Sequence, residues 1–288
     1  MIPGSFDYFA PGTLPEAIAL LREHGEEAKI LAGGHSLIPL MKLRLAQPAC
    51  LIDINRIGGL AYIKEEGGYL RIGALTREAD LDASELIRAR YPLLADTARV
   101  IADPLVRNMA TIGGNLAHAD PANDHPATML AYGAEIVATG PNGERVIPIA
   151  DFFTGLFATA LEPNEILTEI RIPIPPARSG GAYVKLERKV GDYATAAVAA
   201  QVTLDASGGC QYAGIGLTAV DATPVKATRA EAALRGQPLD DANIRATAQI
   251  ASEECDPTAD LRGPVEYKRA MVKELTKRAL AKARDRAG

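Results

Sequence analysis

Tryptophan is absent from the 288 residues, and the chain carries only five phenylalanines and nine tyrosines. A core this poor in rings has to be built mainly from Ala, Leu, Ile and Val. Cysteine is scarce as well. Cys50, Cys210 and Cys255 stand far apart, with no C-x-x-C pair and no Cys/His cluster. That excludes an iron–sulfur cluster or structural zinc held by this chain alone, argues against a disulfide framework, and fits a reducing compartment. No run of five or six like charges occurs and the net charge is −5, so a nucleic-acid-binding face is not expected. No stretch of 18 apolar residues exists, and the start at Met1–Ser5 lacks the basic and apolar regions of a signal peptide. The rest of the composition, 48% hydrophobic and 23% charged, excludes a disordered, collagen-like or coiled-coil chain. The length suggests two domains or three small ones.

What the chain does have is glycine, 26 residues of it, and 19 prolines. These punctuate a readable element pattern. Thr13-Leu14-Pro15-Glu16 is a capping box that opens a helix with Leu14, Ile18 and Leu21 on one face, closed by Gly25. Apolar strands are expected at 29–31 and 50–54, giving a small α/β lobe over residues 1–55. A middle lobe over 56–177 alternates strand signals (61–64, 69–73, 135–139, 145–148, 165–174) with helices at 77–82, 91–101 and 127–132. The run Pro173-Ile174-Pro175-Pro176 with Ser179-Gly180-Gly181 reads as a linker. Beyond it, residues 178–288 hold strands at 183–189, 194–204 and 212–219. Helices at 228–234, 239–254 and 264–283 follow. The fold class expected is α+β, ending in a domain of a three-stranded antiparallel sheet with three helices.

Six Gly-Gly pairs occur. Those at 58–59, 67–68 and 208–209 lie between strands, where turns use positive φ, and 180–181 falls in the linker. The other two have a different setting. Gly33-Gly34 leaves an apolar strand and meets His35-Ser36, and Gly113-Gly114 sits between Thr111 and Asn115. In both, missing Cβ atoms let bare backbone N–H groups face phosphate oxygens, although two further tight turns would explain them equally well. Neither is a P-loop, since no G-K-[ST] follows. Gly214-x-Gly216 lies inside a strand and lacks the third glycine of a dinucleotide fingerprint.

The stretch Ala32-Gly33-Gly34-His35-Ser36-Leu37-Ile38-Pro39-Leu40-Met41-Lys42 resembles the first FAD loop of the flavoprotein subunits of molybdenum hydroxylases. Thr111-Ile112-Gly113-Gly114-Asn115 resembles the second loop, and Asp120-Pro121-Ala122-Asn123-Asp124 the segment after it. The likeness spans essentially the whole chain, with the form A-G-G-H-S-L-I-P-x-M-K-L-R-L pointing to the branch that serves aerobic carbon monoxide dehydrogenases. It implies a two-lobed FAD-binding domain of the vanillyl-alcohol-oxidase/PCMH type. It implies that Ala32, Gly33, Gly34, His35 and Ser36, with Leu37, wrap the FAD pyrophosphate, and that Lys29, Ile30 and Leu31 form the strand leading in. Thr111, Gly114 and Asn115 complete the grip, with Ala117 near the flavin. Asn123 and Asp124 reach the ribityl or ribose–adenine region. Ile101 and Ala102 flank the adenine, Leu167 and Lys185 lie near the adenine or the ring edge, and Tyr193 covers one face of the isoalloxazine.

No catalytic acid–base residue and no metal ligand is expected in this chain. The resemblance implies a non-covalent FAD that receives electrons from a small partner with two [2Fe–2S] clusters. A large molybdopterin partner oxidises the substrate, and electrons leave to an external acceptor such as a quinone. A dimer of heterotrimers is implied, cytoplasmic, compatible with peripheral association at the inner face of the membrane. The alternatives are the FAD subunit of an aldehyde, purine or N-heterocycle dehydrogenase, a stand-alone FAD oxidase, or a scaffold whose glycine loops are only turns. Competing readings stand beside single residues too. Asp124 could be a solvated acid or helix cap, Lys185 a strand lysine on a wet face, Tyr193 a core ring, and Arg107 a surface or interface charge.

Overall fold

The computed structural model describes residues 2–288; Met1 lies outside them. Three larger sheets follow one another along the chain, with a two-stranded ribbon of Phe153–Gly155 and Ala158–Thr159 besides. The first is parallel, with Cys50–Asp53 between Asp7–Phe9 and Ala28–Leu31. Helix Leu14–His24 crosses over between the outer strands and buries Ala17, Ile18 and Leu21 on them. Its start follows the capping box: Thr13 Oγ1 accepts from the Glu16 amide, and the Glu16 carboxylate accepts from the Gly12 amide at 2.8 Å. The strand Asp7–Phe9 is too short and too exposed to leave a periodic signal, and the sequence reading misses it.

The second sheet is antiparallel and five-stranded, in the order Ile63–Glu66, Tyr69–Gly73, Ile166–Pro173, Glu135–Gly140, Gly143–Pro148. In its centre Ile170 faces Ile72 on one neighbour and Ile136 on the other, and all three are fully buried. Each such side chain contributes about 1.5–3 kcal/mol relative to exposure, which is how an aliphatic core replaces the missing rings. The helix expected at 91–101 runs Pro92–Val100 and is preceded by a separate one, Glu85–Arg90. Asp103-Pro104 does more than end it. The Asp103 carboxylate accepts from the Leu105 and Val106 amides and caps a further short helix, Pro104–Arg107.

The third sheet differs from expectation in two ways. It has four antiparallel strands, Ser179–Leu186, Ala196–Leu204, Cys210–Thr218 and Val225–Lys226. The last is a two-residue edge, too short for a periodic pattern. Gly180-Gly181 is not linker but the start of the first strand. A Cβ on Gly180 would strike the carbonyl of Ala283 in the long helix Val265–Ala287, so glycine here is a packing requirement. Helices Thr228–Leu234, Asp241–Glu253 and Val265–Ala287 complete this part.

Strand Ala196–Leu204 is buried at every position because both of its faces are covered. The helix Asp124–Tyr132, also buried throughout, lies against this sheet. Gly214 and Gly216 make that approach possible, since a Cβ on either would strike the carbonyl of Ala131 or Ala127. Thus the glycine pair that is not a nucleotide fingerprint seats the helix that carries Asp124. No helix among the described residues is long and apolar enough to cross a membrane.

Candidate functional site

The three sheets meet around a cleft of about 600 Å³, within the range of small-ligand and cofactor sites. Every residue singled out from the sequence lines it. From the first sheet come Lys29, Ile30 and Leu31 and the loop from Ala32 to Leu37. From the loops and helices between strands Tyr69–Gly73 and Glu135–Gly140 come Ile101, Ala102, Thr111, Gly114, Asn115, Ala117, Asn123 and Asp124, and from strand Ile166–Pro173 comes Leu167. From the third sheet come Lys185 and Tyr193.

The first loop leaves strand Ala28–Leu31 and enters the short helix Leu37–Lys42. The amides of Gly33, Gly34, His35, Ser36 and Leu37 have no hydrogen-bond partner among the described residues. Gly34 has φ +75°, in the left-handed region that a side chain would resist. A run of free amides lining a cleft suits an anionic oxygen-rich group. The His35 ring folds back on its own loop. Its Nδ1 lies 2.9 Å from the Gly33 carbonyl, an acceptor, so Nδ1 carries the proton and donates.

The second loop is built on another principle. Thr111 precedes helix Ile112–His118 and its Oγ1 accepts from the Gly114 amide at 3.2 Å. The Ile112 amide donates to Thr76, Gly113 to Ala74 and Asn115 to Thr111. The expected bare amides of Gly113-Gly114 are therefore spent inside the protein, which corrects the sequence reading. A Cβ on Gly113 would lie 2.6 Å from the Ala74 Cβ and 2.7 Å from its carbonyl oxygen, so this glycine exists for packing. A Cβ on Gly114 would lie 2.8 Å from its cap, Thr111 Oγ1, and in ordinary contact, 3.9 Å, with the Ala32 Cβ of the first loop. What this loop offers the cleft is the side-chain amide of Asn115, whose Oδ1 is buried without a partner among the described residues.

Two residues that sequence reasoning missed hold the loops together. Asn55 Nδ2 donates to the Ala32 carbonyl at 2.8 Å, and its Oδ1 accepts from Arg77 at 2.7 Å. Arg77 also donates to the Met109 carbonyl, just ahead of the second loop. The other glycine of the first loop fits against the same point, since a Cβ on Gly33 would collide with Met109 O and lie 2.8 Å from Ala110 Cα. Neither Asn55 nor Arg77 stands in a motif, so no local signal marks them. Also missed are Leu161, Pro163 and Glu165 ahead of Leu167, and Gly191 and Asp192 ahead of Tyr193, all lining the cleft.

Asp124 is neither solvated nor a cap. It opens helix Asp124–Tyr132 as a buried carboxylate that accepts from Tyr183 Oη at 2.6 Å and Lys185 Nζ at 2.9 Å. Burial pushes its carboxyl up, and the Lys185 ammonium and the Tyr183 hydroxyl pull against that. Lys185 is not on a wet face, since its side chain is 3% exposed. Tyr193 is not a core ring but stands about half exposed at the cleft wall. Arg107 is no simple surface charge either; it donates to the Ile101 and Ala102 carbonyls at 3.0 and 3.2 Å and props that wall. His118 and His125 are engaged separately. His125 Nε2 is 2.7 Å from the buried Glu78 carboxylate, while the His118 ring leans on Phe157. Burial holds His118 below the usual imidazole value.

Comparison with known proteins places this geometry. Residues 4–175 match the family model of the FAD binding domain in molybdopterin dehydrogenase, and residues 181–283 match that of the CO dehydrogenase flavoprotein C-terminal domain. The chain is 47% identical to the carbon monoxide dehydrogenase medium chain of Afipia carboxidovorans, over 100% of this chain and 99% of that one. It is 39% identical to the 6-hydroxypseudooxynicotine dehydrogenase complex subunit alpha of Paenarthrobacter nicotinovorans, over 100% and 97%. It superposes on a chain of the solved carbon monoxide dehydrogenase of Hydrogenophaga pseudoflava with a TM-score of 0.95, 50% identity and 98% coverage of both chains. The cleft fits the family's cofactor on its own evidence, through the free amides from Gly33 to Leu37 and the unpartnered Asn115 Oδ1. The chain belongs to the FAD-carrying medium-chain family of molybdopterin dehydrogenases, the flavoprotein component of a multi-subunit oxidoreductase.

Proposed function

We propose that this chain is the FAD subunit of a molybdenum-containing carbon monoxide dehydrogenase. In that reading it takes electrons from the [2Fe–2S] clusters of a small partner subunit and passes them to an external acceptor, a quinone. A large molybdopterin subunit oxidises the substrate, and the assembly is a dimer of heterotrimers. The observation that carries the cofactor part is the run of free amides from Gly33 to Leu37 in a cleft of cofactor size. The carbon monoxide assignment rests on the 47% and 49% identity to two medium chains of that enzyme.

In this reading the units are residues 1–55, 56–177 and 178–288, the first two forming a cofactor domain of the vanillyl-alcohol-oxidase type. The amides of Gly33 to Leu37 hold the pyrophosphate oxygens without any lysine or metal, and Asn115 supplies the unpartnered side-chain amide opposite. Asn123 donates to the Asn115 carbonyl at 2.9 Å and so fixes the helix that presents it. Ile101, Ala102 and Leu167 offer an apolar wall, Tyr193 a ring, and Lys185 a charge to the reacting end. FAD, when bound, supplies redox chemistry that joins one-electron clusters to a two-electron acceptor, and the protein supplies placement and potential.

The test is to co-produce the chain with its molybdopterin and iron–sulfur partners and assay the purified complex. One FAD per chain, together with iron and molybdenum, is expected, as is reduction of a quinone analogue dependent on carbon monoxide. A complex without flavin absorbance overturns the cofactor reading. A flavin-loaded complex inert to carbon monoxide but active on an aldehyde, purine or N-heterocycle overturns the substrate assignment.

A further inference from the structure

Asp124 takes its two hydrogen bonds from one strand. Tyr183 and Lys185 are two positions apart in Ser179–Leu186 and so share a face of it. Tyr183 Oη donates to Oδ1 at 2.6 Å, and Lys185 Nζ donates to Oδ2 at 2.9 Å. The ammonium also donates to the Val100 carbonyl at 3.3 Å and lies 3.6 Å from Glu187. Lys185 and Asp124 line the cleft, whereas Tyr183 stands behind them and does not. Its hydroxyl donates directly to a cleft-lining side chain at Asp124, which in turn holds Lys185.

The tyrosine is well fixed for such a role. It is 5% exposed, and its amide faces the Asp96 carboxylate at 3.4 Å. Asp96 is itself tied to Lys282 and Arg286 of the C-terminal helix, at 2.9 and 2.7 Å. Burial and the neighbouring Asp124 push the Tyr183 phenol well above its ordinary value, so the hydroxyl stays a donor. Without it a buried carboxylate oxygen would lose its partner and would turn toward another donor or take up a proton. Either change loosens the hold on the Lys185 ammonium.

We infer that Tyr183 is a positioning residue of the flavin site: through Asp124 it fixes the Lys185 ammonium at the cleft wall and with it the electrostatic environment of the bound flavin. This rests on the FAD reading above. Tyr183 then differs from an ordinary buried tyrosine in that its effect on the flavin depends on Lys185.

The experiment is a double-mutant cycle in the assembled complex with Tyr183→Phe, Lys185→Met and the pair. Two quantities are read, the FAD dissociation constant after reversible flavin removal and the midpoint potential of the bound flavin from a spectroscopic titration. Tyr183→Phe is expected to weaken FAD binding about tenfold, as for loss of a hydrogen bond to a charged group, and to lower the potential, since a cation held near the flavin favours its reduced form. With Lys185→Met already present, adding Tyr183→Phe should change neither quantity. Equal effects in both backgrounds mean a merely structural role and overturn the inference. So does a Tyr183→Phe complex with unaltered affinity and potential, which leaves the FAD reading intact. If Tyr183→Phe does not assemble, FAD affinity is read for Asp124→Asn instead; it keeps the volume but removes the anion that links Tyr183 to Lys185, so affinity should fall with Lys185 present and not with Lys185→Met, and an unaltered affinity or an equal fall in both backgrounds overturns the inference. A wild-type complex that holds no flavin overturns both readings.

Discussion

The two loops that meet in the cleft carry the same dipeptide and use it for opposite purposes. Gly33-Gly34 keeps its amides free and brings the backbone against Met109 and Ala110, with Gly34 at φ +75°. Gly113-Gly114 spends its amides on Ala74 and Thr111 and presses Gly113 onto Ala74. The first loop offers the cleft a run of free backbone donors. The second is a helix start brought close enough to face it. A missing Cβ permits either outcome, and what decides is whether another part of the chain reaches the N–H first.

Three substitutions test that contrast. Gly33→Val carries the largest expected effect. Its Cβ cannot sit beside Met109 O and Ala110 Cα, so the loops must part, and the complex should purify without flavin, as read from the visible absorbance per chain. Retained flavin would remove the first loop from the site. Gly113→Ala comes next and should act on stability. Overpacking against Ala74 costs about 1–3 kcal/mol, a fall in Tm of roughly 2–4 °C for each kcal/mol, while the folded fraction keeps its flavin. Flavin loss without a fall in Tm would make the two loops alike. Thr111→Val should have the smallest effect. It removes the oxygen that receives the Gly114 amide, worth about 1 kcal/mol as a helix cap, and thermal melting with flavin content close to wild type checks it. A large loss of flavin would mean that Thr111 Oγ1 serves the ligand rather than the helix.

Much of this architecture is legible in the sequence where the signal is local. The capping box at Thr13–Glu16, the strand 50–54 and the helix 228–234 follow from adjacent residues and stand where expected, within a residue at the ends. Elements that owe their existence to neighbours are misread. Gly180-Gly181 looks like linker because small residues after prolines usually are. Only the helix Val265–Ala287 lying across it shows why glycine is needed. The edge strand Val225–Lys226 exists because Gly216 and Leu217 are there to pair with it. For the cleft, the residues in the two motifs were readable, but the brace of Asn55 and Arg77 was not. Asn55 bonds a carbonyl 23 positions away, and nothing near it in the sequence reports that.

The sequence by itself determined which chemistry this chain can hold. Its three scattered cysteines form no cluster-binding pattern, and its glycines mark where backbone instead of side chain is offered. These are properties of single residues and their nearest neighbours, so they survive without a fold. Only the tertiary structure decided which glycine amides stay free and which are consumed, and that Asp124 receives Tyr183 and Lys185 from 59 and 61 positions away. Those outcomes depend on which groups come within about 3 Å of each other, and chain folding sets that distance.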